Sequence, residues 1–190
     1  VVASLERWIR LSSLGKADFA GATIEAPDEY TVVITQPEPV STALTTLAYG
    51  GGNYASIMPK EVVENAPDEG VEEYIGTGPF KFEEWKQDQY IYLTRFEDYQ
   101  PLDMPTDGLA GKKEALVEGL YFMIVPDPST RLAGIQSGEY DAIIEVQLDM
   151  APQLGEQGDI TTHIDPWGQL NIFYNKAEGI FSDVRAREAV

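Results

Sequence analysis

The chain has 190 residues, 43% of them hydrophobic, which is enough to bury a core of ordinary size as one domain or as two small lobes. Thirteen Lys and Arg against 32 Asp and Glu give a formal net charge of −19, which repels phosphate backbones and argues against DNA or RNA as a partner. The lack of cysteine excludes disulfides, thiolate catalysis and Cys-ligated zinc, and the sequence contains no apolar run long enough to predict a membrane-spanning helix.

The first third of the chain predicts helices around a β-hairpin. Residues 1–15 place apolar side chains on one helix face, and Gly15 is expected to end that helix in the left-handed conformation. Two β-rich runs around the Pro-Asp-Glu of residues 27–29 predict the hairpin. The glycines at 50–52 predict a loop and not a phosphate cradle, because no Gly-Lys-Ser/Thr follows them, and a helix is expected to begin near Pro59.

The stretch IGTGPFKFEEWKQDQYIYLTRFEDYQP, residues 75–101, predicts a second hairpin. Gly76 and Gly78 are expected to adopt backbone conformations that a β-carbon forbids, and Pro79 fixes the residue that follows them. The glycines are therefore interpreted as architectural and not as ligand contacts. Residues 97–119 are polar and rich in Gly and Pro, which predicts a surface excursion, and their acidic residues lack the spacing of a calcium loop.

The stretch LYFMIVPDPSTRLAGIQSGEYDAII, residues 120–144, predicts a strand, a helix and a second strand. The apolar run Leu120–Val125 is typical of a strand covered on both faces. Asp127 is the expected N-cap of the helix and Gly138 its end, and Tyr140–Ile144 is expected to return as a strand parallel to the first.

The rest of the chain predicts a short helix and two further strands, and a last helix capped by Ser182 or Asp183 that extends only to Val190. The overall prediction is an α/β fold with a smaller α+β subdomain over residues 1–74 and a subdomain bearing a mixed sheet over 75–190. Because neither outer helix is complete, we expect a segment of a longer chain.

The sequence gives no support to a catalytic function. His163 is the only histidine and lies on a predicted strand without a recognisable partner. Adjacent acid pairs point to opposite faces of a strand, and no Gly-x-Ser-x-Gly motif is present. We therefore expect neither an enzyme, nor a metal site, nor a cofactor.

Three motifs carry a family resemblance. IGTGPFKFEEW with IYLTRFEDY, VPDPSTRLAGIQSGEYDAI, and FYNKAEGIFSDVRAREAV follow one another in the order found in the extracellular solute-binding proteins of family 5, and the chain is similar to them over almost its whole length. That family comprises the peptide, oligopeptide and nickel receptors of ABC importers. One departure is that Gly179-Ile180-Phe181 stands where the family usually has Pro-Pro-Phe, which affects the loop near Asn175.

The resemblance implies part of a two-lobed receptor with a periplasmic-binding-protein type II-like fold. Such receptors work in the periplasm or on the extracellular face of the cytoplasmic membrane, are usually lipoproteins whose anchor would lie outside this chain, and deliver their ligand to ABC permease subunits. The chain matches the middle of the first lobe. A peptide is the expected ligand, while nickel complexes or oligosaccharides remain alternatives in the same family, and a non-transport signalling or partner-binding module is the alternative from another class.

The resemblance and the predicted loops together suggest a set of ligand-binding residues. Asn175 and Tyr174 lie at the predicted strand end that in this family contacts the ligand main chain. The alternative for Asn175 is an amide that closes a local turn. The other candidates, for which core packing or simple surface exposure is the alternative, are Trp167, Gln169, Asn171, Tyr49, Asn53 and Tyr54.

Overall fold

The computed structural model describes residues 1–52, 54–147, 149–156, 158–164 and 172–190. The chain divides into two compact units, Val1–Ile124 and Val125–Val190. The subdomain boundary expected at residue 74 falls inside the first unit and stays a prediction.

The elements of the first unit are α1 (Val2–Leu11), α2 (Ser13–Phe19), β1 (Thr23–Asp28), β2 (Thr31–Thr35), α3 (Ala43–Leu47), α4 (Lys60–Asn65), β3 (Phe80–Lys86), β4 (Tyr90–Arg95) and β5 (Gly119–Met123). Those of the second are α5 (Pro128–Ser137), α6 (Ala151–Gly155), a 3-10 turn (Ile180–Ser182) and α7 (Val184–Glu188).

The core of the first unit forms where α1 and α2 meet. Trp8 of α1 and Phe19 of α2 are buried, with ring centroids 5.5 Å apart. The predicted single helix over residues 1–15 is wrong at its end, because Ser12 adopts an extended conformation, ends α1 and caps α2 by accepting a hydrogen bond from the Gly15 N–H. Gly15 therefore lies inside α2, where a β-carbon would come within 2.7 Å of the Trp8 carbonyl oxygen.

The first hairpin is confirmed. Strands β1 and β2 are antiparallel, with Ile24 opposite Ile34. The turn lies at residues 29–30, slightly later than expected, because the Asp28 carboxylate accepts a hydrogen bond from the Tyr30 N–H at 2.9 Å. This is the side-chain turn that aspartate favours.

Helix α4 is held to α1 by polar contacts as well as by Val62 and Val63, which are buried. It begins directly after Pro59, as expected. The buried Ser4 hydroxyl both donates to the Met58 carbonyl at 3.1 Å and accepts from the Met58 N–H at 3.0 Å. Arg7 donates to the carbonyls of Ala66 and Pro67 just beyond α4.

The second hairpin is also confirmed, and it forms an antiparallel three-stranded sheet in the order β3, β4, β5. The expectation for Gly76 and Gly78 is wrong, because neither has a positive φ and a β-carbon on either would meet nothing within 4 Å. Strand β5 is also less covered than its apolar sequence predicts, since Tyr121 and Phe122 point to opposite faces and are 59% and 55% exposed.

In the second unit, the sequence predicts α5 to the residue. The Asp127 carboxylate accepts from the Thr130 N–H at 2.7 Å, Pro128 opens the helix, and Gly138 ends it at φ 76°. The expected parallel strand Tyr140–Ile144 is wrong. The Tyr140 N–H is still bonded to the Gly134 carbonyl, and Glu145 adopts φ 58°, so the segment cannot run on as a regular strand.

Helices α6 and α7 appear where the sequence predicts short helices, and Asp183 is the N-cap of α7. Residues 160–164 do not form the expected strand. The start of the other expected strand, residues 169–171, lies outside the described part of the chain, and residues 172–175 are assigned to neither a helix nor a strand. Among the described residues, no helix has both the length and the apolar character needed to cross a bilayer.

Candidate functional site

Asn175 is exposed and lies on a segment, in neither a helix nor a strand, that precedes the 3-10 turn. Its side-chain oxygen accepts a hydrogen bond from the Ala177 N–H at 3.0 Å, so the amide does close a local turn. The amide nitrogen donates to no atom of the described residues. Asn175 thus has its acceptor in use, and its donor has no partner among the described residues.

The backbone around Asn175 is also available. None of the described residues forms a backbone hydrogen bond with an N–H or C=O group of residues 172–176. Buried backbone groups are almost always paired, whereas here the side chains of Phe173 and Asn175 are exposed and the adjoining backbone has no backbone partner among the described residues. A peptide ligand could pair with backbone groups of this kind.

Tyr174 is half-buried beside the same segment. Its ring packs against Phe181 with centroids 4.6 Å apart. Phe181 lies two residues before Asp183, the N-cap of α7. This packing holds the Tyr174 ring against Phe181, while the Asn175 side chain stays exposed. Tyr174 therefore has a structural contact, and its part in ligand binding stays a prediction.

Tyr49 and Tyr54 belong to the first unit, at the glycine loop. They are 50% and 56% exposed, respectively. The Tyr49 ring lies so close to Gly51 that a β-carbon there would meet it at 2.4 Å, and the Tyr54 N–H donates to the Gly51 carbonyl at 3.2 Å. A side chain at position 51 would therefore displace the Tyr49 ring from its present place.

The remaining candidates are Asn53, Trp167, Gln169 and Asn171, which lie outside the described residues and stay predictions. His163 is described, and it is exposed and lies in neither a helix nor a strand. Within the described ranges, no three His, Asp or Glu side chains are grouped as a metal site.

A feature that the sequence analysis missed recurs at the starts of α5 and α7. Each helix has an Asp N-cap followed four residues later by an Arg, Asp127 with Arg131 and Asp183 with Arg187. Each Arg folds back and donates through Nη1 to the two carbonyls before the cap. For α5 these belong to Val125 and Pro126, at 2.7 and 3.1 Å, and for α7 to Phe181 and Ser182, at 2.5 and 3.1 Å.

This arrangement, an Asp cap with an Arg clamp, controls how the chain enters the helix. In α7 the clamped residue Phe181 is also the ring that supports Tyr174, so Arg187 holds the candidate site indirectly. The hydrogen bonds from Thr130 lower the pKa of the Asp127 carboxyl, and those from Arg185 lower the pKa of the Asp183 carboxyl. The repeated Asp-x-x-x-Arg spacing was the sequence signal for this feature.

Aromatic side chains with a few placed polar groups are typical of ligand-binding sites, and here such residues lie on loops of an α/β chain. The model of the bacterial extracellular solute-binding proteins, family 5, middle region, matches residues 1–190. The chain belongs to this family.

Two relatives illustrate the match. A probable peptide ABC transporter periplasmic-binding protein of Sinorhizobium fredii, y4tO, is 30% identical over 198 aligned residues, which cover 100% of this chain and 36% of the relative. The structure of the periplasmic binding protein DppA from Helicobacter pylori in complex with the peptide STSA is 27% identical, with a TM-score of 0.61, and covers 82% of this chain and 31% of that one.

In a third comparison, the similarity to a solved structure covers nearly the whole chain. The structure of MoaA from A. tumefaciens R10 in complex with mannopinic acid has a TM-score of 0.70, covering 99% of this chain and 36% of that one, at 23% identity. The α/β class and the type II-like lobe predicted from the sequence are thereby confirmed. The chain spans about a third of the length of the relatives it matches.

Proposed function

We propose that this chain is part of a receptor that captures peptides outside the cytoplasmic membrane, in the periplasm or at the extracellular face, and delivers them to the permease subunits of an ABC importer. The observation that carries the proposal is the segment 172–176, whose backbone groups have no hydrogen-bond partner among the described residues. A peptide held through its main chain requires a run of unpaired donors and acceptors of this kind.

The side chains of residues 172–176 also agree with a binding function. The free amide donor of Asn175 can meet a peptide carbonyl, and Tyr174 supplies a half-buried ring beside it. The family and the relatives named above for peptide binding support the same ligand class. The receptor acts by closing on its ligand and not by transforming it.

Thermal unfolding of the intact receptor tests the proposal. A ligand that binds only the folded state stabilises it by about 2.7 kcal/mol at a concentration of 100 times its Kd, which raises the melting temperature. We expect di- to tetrapeptides to raise it and free amino acids to do so less. A rise with a nickel–histidine complex or an oligosaccharide, and none with any peptide, would overturn the proposal.

A further inference from the structure

The second unit contains a cavity of about 120 Å³ that opens to solvent. Its walls come from the first half of α5 and from residues 143–147 and 150. Much of the wall is aliphatic, from Leu132, Ile143, Val146 and Met150. Among the predicted ligand contacts that the structure describes, Tyr49, Tyr54, Tyr174 and Asn175, none lines the cavity.

The backbone at this wall is strained. Glu145 adopts φ 58°, a conformation that residues other than glycine rarely adopt, and it lies between Ile144 and Val146, which both line the cavity. Backbone strain of this kind persists only where the surroundings enforce it, and it concentrates at binding sites. Glu145 directly follows the segment Tyr140–Ile144, which the sequence predicts as a strand and which does not form one.

Two opposite charges also line the cavity, and neither neutralises the other. Arg131 is held through Nη1 by the carbonyls of Val125 and Pro126 and forms no ion pair with a described carboxylate. The Glu145 carboxylate has neither a hydrogen bond nor an ion pair with any described residue. The cavity thus combines an aliphatic wall with one available anion and one cation that is only partly engaged.

We propose that this cavity binds one branched aliphatic side chain, Val, Leu or Ile, of the peptide ligand. The inference rests on the proposed function and adds a preference to it. A cavity of about 150 Å³ with aliphatic and aromatic walls is large enough for benzene, so one slightly smaller suits an aliphatic side chain better than a Tyr or Trp. Glu145 then complements a peptide N–H or ammonium group, and Arg131 a carbonyl or carboxylate.

The test uses the intact receptor and four tripeptides, tri-alanine and its three variants with a single leucine. Burying the extra carbons of leucine favours binding, so we expect one leucine peptide to bind about tenfold or more tightly than tri-alanine by calorimetry. Val146→Phe fills the cavity and should remove this preference for a leucine peptide over tri-alanine. Val40→Phe is the matched control, because Val40 is also half-buried and does not line the cavity.

A second variant guards against misfolding of the first. Met150→Ala enlarges the cavity and should shift the preference from leucine toward a phenylalanine peptide. The cavity proposal is overturned, and peptide binding stands, if the wild type binds tri-alanine and all leucine peptides equally or if both cavity variants keep the wild-type preference. If no peptide binds the wild type at all, the proposed function fails as well.

Discussion

At the scale of single residues, Asn175 shows how one side chain can serve both a turn and a ligand. Its oxygen accepts a hydrogen bond from the Ala177 N–H, while its amide nitrogen has no partner among the described residues. The two alternatives left open by the sequence, a turn residue and a ligand contact, therefore use different atoms of the same amide. Substitutions can separate them.

We expect Asn175→Ala and Asn175→Asp to differ in stability but not in peptide affinity. Asp keeps the acceptor for the Ala177 N–H and loses the donor, whereas Ala loses both. If the amide nitrogen contacts the ligand, calorimetry should show that both variants of the intact receptor bind peptide more weakly by about 1 kcal/mol or somewhat more. Wild-type affinity in the Asp variant would limit Asn175 to its turn.

Gly15 is a residue whose role the sequence did not reveal. A glycine after an apolar helical stretch predicts a left-handed cap, but the close approach of α2 to the Trp8 carbonyl follows a break between the helices at Ser12, which is extended. The contact of Trp8 with Phe19 across this break is a tertiary contact that no local sequence pattern contains.

We therefore expect Gly15→Ala to destabilise the protein. The added β-carbon would lie 2.7 Å from the Trp8 oxygen and 2.8 Å from the Ile9 Cα, both backbone atoms, and forcing an extra carbon into such a contact costs about 1–3 kcal/mol. Better helix propensity returns at most about 1 kcal/mol. Urea denaturation should show a net loss, whereas Gly70→Ala, which has nothing within 4 Å of its added carbon, should change stability by less than about 0.5 kcal/mol.

At the scale of elements, local signals explain which predictions succeed. Helix α5 carries its N-cap, its first-turn proline and its C-terminal glycine in adjacent residues, so the sequence suffices to place it. The hairpins succeed for the same reason. The strand expected at Tyr140–Ile144 fails because an apolar run shows only that a segment can pair, while pairing depends on neighbours distant in sequence.

The same limit applies to the candidate site. The family resemblance indicated Tyr174 and Asn175 as ligand-binding candidates. The structure shows which of their atoms have partners among the described residues. The cavity beside α5 has no sequence signal, because Leu132 and Val146, which both line it, are distant in sequence and no local pattern brings them to the same wall. The Asp-x-x-x-Arg clamps did have one, in the repeated spacing at α5 and α7.

The cap of α5 should make stability depend on pH in the acid range. Because hydrogen bonds from Thr130 lower the pKa of Asp127 in the folded state, its contribution is complete above the unfolded value of about 3.9 and is lost as the pH falls through the folded value. Asp127→Asn keeps a capping acceptor but cannot titrate. The stability advantage of the wild type over this variant should therefore shrink between about pH 5 and pH 2.5. Denaturation at several pH values measures it, and a constant difference between the two proteins would contradict the assignment.

At the scale of the whole molecule, the excess of acids dominates the electrostatics. The described residues form five ion pairs, whereas the sequence contains 32 Asp and Glu. The partners in these pairs are mostly solvent-exposed, and such pairs contribute at most about 1 kcal/mol each. Repulsion among the remaining carboxylates therefore outweighs the attraction within the pairs.

We expect added NaCl to stabilise the protein, since salt screens the net repulsion of 19 negative charges more than it weakens a few exposed pairs. The screening length falls from about 10 Å at 0.1 M to about 3 Å at 1 M, so most of the gain should appear below about 0.5 M, before the general effect of salt on apolar burial becomes large. Scanning calorimetry across this range measures the melting temperature. The double variant Glu72→Gln/Glu73→Gln removes two neighbouring, exposed charges and should melt higher in low salt and respond less to NaCl. A melting temperature that falls with salt would show instead that the few ion pairs, and not the overall charge, control the stability of this lobe.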